Sequence, residues 1–198
     1  MSLDYQLSLV TAPTSEPVSV DDCKLATRIE STSEDDFLAQ LVTAAREQIE
    51  VDTDLKLMPQ TWRLTLDAFP WRMGCNPYAI ELPIWPVRSV SIKYDDLSQV
   101  EQTLSPSRYY LRNAAYPAVI RPEVGYAWPA TSIRAGSVRI DIEAGFTDAA
   151  AVPTRAKQAL YMLFGHWVEH RHLATSKSYN AIDMAYKSLT IGLRPGMI

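Results

Sequence analysis

The residues best suited to chemistry in this sequence are His166-Trp167-Val168-Glu169-His170. They have the H-x-x-E-H spacing of inverted zincin peptidases, in which two histidines bind zinc and the glutamate acts as general base. On a helix, His166 and His170 would share one face. His172 adds a third imidazole, so all three histidines of the chain lie in this stretch. The pattern therefore defines a zinc metallopeptidase hypothesis.

A structural helix explains the same residues better. Catalytic zinc needs a third protein ligand and a substrate cleft, but the residues after His172 contain only one acid, Asp183. Trp167 and Val168 are typical of a helix that packs against a neighbour. The sequence also lacks G-x-G-x-x-G, P-loop and G-x-S-x-G motifs. We therefore predict a protein that is not an enzyme, with no catalytic residue, metal site or cofactor.

Two other groups of residues could form a ligand site. Asp95 and Asp96 fall between two predicted strands, where a solvated hairpin turn explains them. Five tryptophans, several of them close to prolines, could form a sugar-binding platform, but a thin β core or a subunit interface is the interpretation we favour. They are Trp62, Trp71, Trp85, Trp128 and Trp167.

Composition and charge narrow the class of protein. The chain has 198 residues, 47% hydrophobic and 21% charged, which is ordinary for a globular protein. It has no apolar run long enough for a membrane span and no signal-like start. Cys23 and Cys75 have no metal-ligand spacing, and we expect two free thiols, with a single long-range disulfide as the alternative.

The charge is unevenly distributed along the chain. The net charge of −4 argues against a general nucleic-acid binder. Residues 1–60 hold 4 lysines and arginines against 12 acids, whereas residues 61–198 hold 15 against 11. This uneven distribution of charge suits a subunit that is stacked between different partners. It suits equally a solvated pair of acidic helices that has no function.

The first sixty residues predict an arm and two helices. Residues 1–17 show no period and form an extended arm. Ser19 and Asp22 have the spacing of a capping box, which predicts a short helix over 20–29. The segment 33–36 repeats this pattern and opens a longer helix. Its apolar face consists of Leu38, Leu41, Val42, Ala45 and Ile49.

Beyond Pro59 the period of two residues predicts strands, and the helical period returns near Pro153. The predicted strands cover 62–66, 80–82, 87–94, 100–104, 109–112, 119–120 and 138–145. Proline lacks the backbone N–H that pairs strands, so the many prolines in this region predict strands that are short or lie at sheet edges. A long helix is predicted to about Arg171, followed by a polar break, a shorter helix around 181–189 and a free tail.

This order of elements predicts an α+β fold. We expect a helical core, made of the N-terminal helices and the long C-terminal helix, with an inserted antiparallel β subdomain. Residues 1–58 would form the arm and helices, 59–150 the β-rich insertion, and 151–198 the long helix and tail. The first segment and residues 151–172 would form one helical unit.

Over residues 9–171 the chain resembles the phage head–tail connector (adaptor) family, in its longer type with a β-rich insertion. The resemblance rests on Leu9-Val10-Thr11-Ala12-Pro13, Glu16-Pro17-Val18-Ser19, Ala44-Ala45-Arg46-Glu47, Gln60-Thr61-Trp62-Arg63-Leu64-Thr65-Leu66-Asp67, Phe69-Pro70, Ile80-Glu81-Leu82-Pro83, Trp128-Pro129, Gly145-Phe146, Pro153 and His166-Trp167 with Glu169 and Arg171. The last long helix of that family carries the same His-Trp-x-Glu-x-Arg pattern without being a peptidase. Where relatives tend to have a glycine that ends the second helix, this chain has Val51-Asp52-Thr53-Asp54.

The resemblance implies a virion protein at the head–tail junction, assembled in a bacterial cytoplasm. It implies a homo-oligomeric ring, expected to have 12 copies, which docks on the portal protein and contacts the next tail-side protein, a stopper or tail terminator. DNA would pass through the ring without sequence-specific binding, and no membrane is involved. The particle is an infectious phage or a gene transfer agent, and the sequence leaves both open. The alternative within the same class is a tail-completion or stopper ring subunit.

Two surfaces follow as hypotheses. The apolar C-terminal segment is predicted to bind the portal, because it is too apolar to stay exposed and too short to fold alone. Its candidate residues are Tyr186, Leu189, Ile191, Leu193, Met197 and Ile198. The acids at the two helix starts are predicted to face the channel and repel DNA. These are Asp21, Asp22, Glu34 and Asp35.

Overall fold

The computed structural model describes residues 5–70, 78–169 and 179–193; for residues 179–183 it describes the backbone alone. Within these ranges the chain forms four α-helices and eight β-strands. The helices are α1 (Val20–Thr27), α2 (Asp35–Thr53), α3 (Thr154–Glu169) and α4 (Tyr179–Ile191). The strands are β1 (Tyr5–Thr11), β2 (Gln60–Leu66), β3 (Ile80–Leu82), β4 (Val87–Asp95), β5 (Glu101–Thr103), β6 (Tyr109–Arg112), β7 (Ala118–Pro122) and β8 (Val138–Ala144).

All strand pairs are antiparallel, so the predicted mixture of helices with an antiparallel sheet is confirmed. The chain divides into two compact units. The β unit consists of residues 1–12 and 59–145, and the helical unit consists of residues 13–58 and 146–198. No helix in the described ranges is long and apolar enough to cross a bilayer.

The β unit contains two sheets around one apolar core. The larger sheet has the strand order β1-β2-β8-β4-β5, and the smaller has the order β3-β7-β6. The alternation in β8 explains the core, because Val138, Ile140 and Ile142 are fully buried on one face. The intervening Arg139 and Asp141 lie on the opposite face, which carries the charged residues.

The predicted Asp95-Asp96 turn is confirmed, with Asp96 as its organising residue. Its carboxylate accepts hydrogen bonds from the backbone N–H groups of Ser98 (2.9 Å) and Val100 (3.1 Å). These bonds lower the pKa of Asp96, the bond from Val100 most strongly. Asp96 therefore closes the β4–β5 hairpin.

The start of α1 confirms the predicted capping box. The Asp22 backbone N–H donates to Ser19 Oγ at 3.0 Å, and the Ser19 N–H donates to Asp22 Oδ2 at 3.3 Å. The buried face of α2 contains Leu38, Val42, Ala45 and Ile49, as its spacing predicts. Burial raises the pKa of the Cys23 thiol to about 12, and this thiol is free.

Two local predictions were wrong. The second helix begins at Asp35 without a side-chain cap, because its N-cap residue is Glu34 and not Ser33. The residues of the arm from Tyr5 to Thr11 form a strand paired with β2. Tyr5, Leu7 and Leu9 alternate with Gln6 and Ser8, so this short stretch does carry the two-residue period of a strand.

Candidate interaction surfaces

The four acids predicted to line a channel have different surroundings. Asp22 is bound to Ser19, whose side-chain hydrogen bond (2.7 Å) is the main cause of a lowered Asp22 pKa. Asp35 forms an ion pair with Lys24 Nζ at 2.8 Å. Asp21, Asp22 and Glu34 are exposed, and Asp35 is half-buried. Asp22 and Asp35 therefore stabilise the region around the two helix starts, whereas Asp21 and Glu34 belong to neither of these two contacts.

The helical unit has an exposed groove between α1 and α3. Its apolar lining includes Leu25, which is 81% exposed, together with Ala26 and Met162. Asp22 and Gln158 supply polar groups to the same groove. Sequence periodicity missed this groove, because α1 is too short to show a second apolar face.

The predicted portal-binding segment is partly internal to the helical unit. Tyr186 is buried and donates its hydroxyl proton to Asp52 Oδ2 at 2.7 Å, while burial raises the pKa of this tyrosine. Leu193 is buried and Leu189 is half-buried, whereas Ile191 is 56% exposed. Met197 and Ile198 lie outside the described residues. Among the side chains described in this segment, the large apolar ones that are exposed are Met184 and Ile191.

The histidine pattern lies at the end of α3. His166 is half-buried, and Glu169 is the exposed last residue of the helix. His170 and His172 lie outside the described residues. Among the residues that the structure describes, no three histidine, cysteine or acidic side chains are grouped so that they could hold a metal ion.

Trp128 belongs to the core of the β unit. It stacks on Phe69 with ring centroids 4.7 Å apart, and its indole N–H donates to the Tyr78 carbonyl at 2.8 Å. Trp85 meets Tyr116 edge to face at 6.4 Å. This geometry supports the interpretation of these tryptophans as core residues over that of a sugar-binding platform.

The outward face of the larger sheet carries a cross-strand network of charges. Arg63 and Asp141 form a two-bond pair at 2.6 and 3.0 Å. Arg139 donates to both Asp95 and Glu101, which are contributed by β4 and β5. The hydrogen bond from Arg139 is the main cause of a lowered Asp95 pKa. Positive and negative groups therefore alternate across the strands, so this face is almost fully compensated in charge.

The outer edge of β1 has no such charges. This strand ends the larger sheet and contains only uncharged residues, YQLSLVT. Its register places Tyr5, Leu7 and Leu9 opposite Leu66, Leu64 and Trp62. Tyr5 and Leu9 are nevertheless 50% and 47% exposed. The core of the β unit is therefore incompletely covered along this edge.

Comparison with known proteins connects these surfaces to a family. The profile of the phage gp6-like head-tail connector protein family matches residues 17–83. The resemblance to phage head–tail connectors is confirmed. This segment contains α1, α2, β2 and β3, and therefore includes parts of both units. No curated protein sequence matches the chain significantly.

Solved structures of gene transfer agent (GTA) particles extend the likeness to nearly the whole connector-like chain. A chain in the neck of an empty GTA particle, computed with C6 symmetry, is 26% identical with a TM-score of 0.79. A chain in the virion of a native GTA particle is 26% identical with a TM-score of 0.78. A chain in the neck of a native GTA particle, computed with C12 symmetry, is 25% identical with a TM-score of 0.70. Each match covers 98% of this chain and 97% of the other.

Proposed function

We propose that this chain is a structural subunit of the ring at the head–tail junction of a phage or phage-like gene transfer particle. The observation that carries the proposal is the likeness to GTA neck chains over 98% of this chain and 97% of that chain. A match of this extent involves both units and their connections, whereas a shared motif would align one of them alone. The connector profile over residues 17–83 supports the same assignment independently.

The proposed assembly is a ring of twelve copies around a DNA channel. The C12 symmetry used for one of the similar necks supports this number. In a ring, each subunit uses two different surfaces to contact its two neighbours. The ring would dock on the portal, join the next tail-side protein and let DNA pass without sequence-specific contacts.

Within each subunit, the helical unit is the proposed connector core and the β unit is the proposed insertion. The helical unit is assembled from residues 13–58 and 146–198, which lie on both sides of most of the β unit in sequence. α3 packs on α2 and also on α4, so the two segments share one fold. An insertion of this kind adds a lateral surface without changing the helical contacts.

We assign the portal contact to the exposed side of α4. Tyr186 and Leu193 hold this helix against its own unit, which leaves Met184, 74% exposed, and Ile191 as apolar contact points. Ile191→Asp should weaken binding to purified portal rings by about tenfold without changing the melting temperature. Val51→Asp, at a 72% exposed position of α2, is the matched control. Unchanged portal binding by the Ile191 variant would refute this assignment.

We assign the channel-facing role to Asp21 and Glu34, the exposed acids of the predicted set that lie outside the capping box and the ion pair with Lys24. A negative wall repels the DNA backbone and prevents it from binding in passage. Replacing both acids with lysine should slow DNA release from assembled particles, more strongly at low salt than at high salt. Glu47→Lys, another exposed acid of the helical unit, is the control. Normal release by the double variant at low salt would contradict the assignment.

Electron microscopy of the purified chain, with and without the portal ring of its particle, tests the whole proposal. We expect rings with twelvefold symmetry seated on the portal. A chain that stays solitary in both conditions would overturn the proposal. Stoichiometric zinc accompanied by peptide hydrolysis would favour the metallopeptidase alternative, so metal analysis of the same sample completes the test.

A further inference from the structure

We infer that the outer edge of β1 is a lateral contact between copies of this chain, pairing with β5 of the next copy. This inference rests on the proposed ring. It names the surface through which neighbouring subunits meet in the β unit, where the family likeness by itself assigns no contact.

The first observation is that β1 is an edge that natural proteins rarely leave open. Soluble proteins protect edge strands with lysines, prolines, inward charges, β-bulges or very short lengths. β1 has seven uncharged residues without proline, and its one protective device is the irregularity between Leu9 and Thr11. The regular part of the edge before this irregularity includes Tyr5, which is 50% exposed. A strand from outside would extend the sheet along this regular part.

The second observation identifies what can cover β1. Subunits related by rotation in a ring meet through two different surfaces, so β1 cannot meet β1 of its neighbour. The larger sheet has only one other end, β5, which is fully exposed. Because every neighbouring pair in this sheet is antiparallel, β1 and β5 of one copy run in the same direction. The contact would therefore be a short parallel pair.

The two edges are also compatible in charge and in their position along the strand direction. The only charged residue of β5 is Glu101, which is compensated by Arg139 at 2.9 Å and by Lys93 at 3.5 Å. Gln6 and Thr103 lie at opposite ends of one row across the sheet, through Thr65, Arg139 and Lys93. If neighbouring sheets continue each other, Gln6 of one copy faces Thr103 of the next, so β5 lies beside the N-terminal end of β1 at Tyr5 and Gln6.

Cysteine pairs test this geometry in the full chain. The background is Cys75→Ser, and the native Cys23 is fully buried and remains in place. Gln6→Cys and Thr103→Cys together should give a ladder of disulfide-linked oligomers when rings assembled on portal are oxidised. Each single variant should stay monomeric on a denaturing gel. Dimers of the Gln6→Cys variant alone, or no ladder from the double variant in intact rings, would overturn the inference.

Charge at the edge gives an independent test. Tyr5→Glu combined with Gln6→Glu should raise the concentration needed for ring assembly about tenfold or more, because the new carboxylates would lie close to Glu101 of the next copy. Ile133→Glu, at a fully exposed position of the same unit, is the control and should assemble normally. Melting temperature shows whether the β unit remains folded in each variant. If the wild type forms rings and the folded double variant assembles equally well, the edge contact is refuted and the proposed function stands. If the wild type forms no rings, both are refuted.

Discussion

The helical unit and the β unit use the same arginine–carboxylate chemistry at very different depths. In the helical unit, the side chains of Arg46 and Glu50 are 6% and 5% exposed and lie 3.3 Å apart. In the β unit, the side chains of Arg63 and Asp141 are 38% and 25% exposed, although their geometry is better. Burial therefore distinguishes the two pairs more than distance does.

The difference shows what each pair does. Arg46 also binds Glu16 at 2.8 Å, and Glu50 accepts the backbone N–H of Leu57 at 2.8 Å. The pair therefore fastens to α2 two segments of chain that have no regular structure of their own. Burial lowers the pKa of the nearby Lys56, although Glu50 favours its charged form. On the sheet, the strands are already joined by their backbones, so the charges mainly keep the outer face soluble.

The largest expected effect comes from breaking the buried pair. Arg46→Met should destabilise the helical unit by about 3–5 kcal/mol, because it leaves buried carboxylates without their principal cation. Urea denaturation followed by circular dichroism measures the loss. Glu47→Gln, which removes the exposed partner of Arg46, should cost less than about 0.5 kcal/mol. Equal effects of the two substitutions would show that the burial of Glu50 has no energetic consequence.

A smaller effect is expected where α4 is fastened to α2. Tyr186→Phe removes the hydroxyl that donates to Asp52 and should cost about 1.5–3 kcal/mol, the usual range for a hydrogen bond to a charged group. Hydrogen exchange should show the loss concentrated in α4. Tyr110→Phe, at a 56% exposed position of the β unit, is the matched control. Full protection of α4 in the Tyr186 variant would contradict a fastening role for this bond.

Breaking the exposed pair of the sheet should cost less still. Arg63→Met is expected to lower stability by about 0.5 kcal/mol, because water and salt already screen this pair. The effect should fall further in 1 M salt, whereas the effect of Arg46→Met should not. A loss above about 2 kcal/mol from Arg63→Met would remove the contrast between the two units.

The smallest effect concerns pH. Hydrogen bonds from Ser19 lower the pKa of Asp22 from its ordinary value of 3.8. The contribution of this group to stability is therefore fully present above pH 3.8 and is lost as the pH falls through the lower folded-state pKa. The melting temperature of the wild type should fall slightly more between pH 5 and pH 2.5 than that of Asp22→Asn. Identical acid profiles would show that the capping box has no such pH dependence.

Several local features followed from the sequence because they depend on neighbours along the chain. The capping box at Ser19 and the hairpin at Asp96 need only residues within four positions. The 80–82 and 109–112 strands have the predicted limits, since β-branched or aromatic residues are bounded there by turns. The prediction for the end of α2 was less specific. Asp54 adopts a left-handed conformation (φ 58°) at the end of α2, the conformation that favours glycine at helix ends.

The candidate surfaces were harder to predict, because exposure depends on what packs from elsewhere. The apolar character of Tyr186 and Leu193 suggested an external partner, but both side chains are buried within their own unit. The portal-binding and channel-facing roles stay predictions, now focused on Ile191 and Asp21 among others. The alternation of Tyr5, Leu7 and Leu9 with Gln6 and Ser8 is compatible with a strand, but it does not reveal that this strand forms an edge of the larger sheet, because strand order depends on residues far along the chain.

By itself, the sequence determined most kinds of elements, the cap of α1, the turn at Asp96, the α+β composition and the resemblance to head–tail connectors. These depend on local periodicity, on short-range hydrogen bonds and on residues matched in order. Only the tertiary structure decided that β1 joins the larger sheet, that Arg46 and Glu50 are buried, and which apolar residues of α4 remain exposed. The physical reason is that strand pairing and burial join residues far apart in the chain, and periodicity carries no information about the partner.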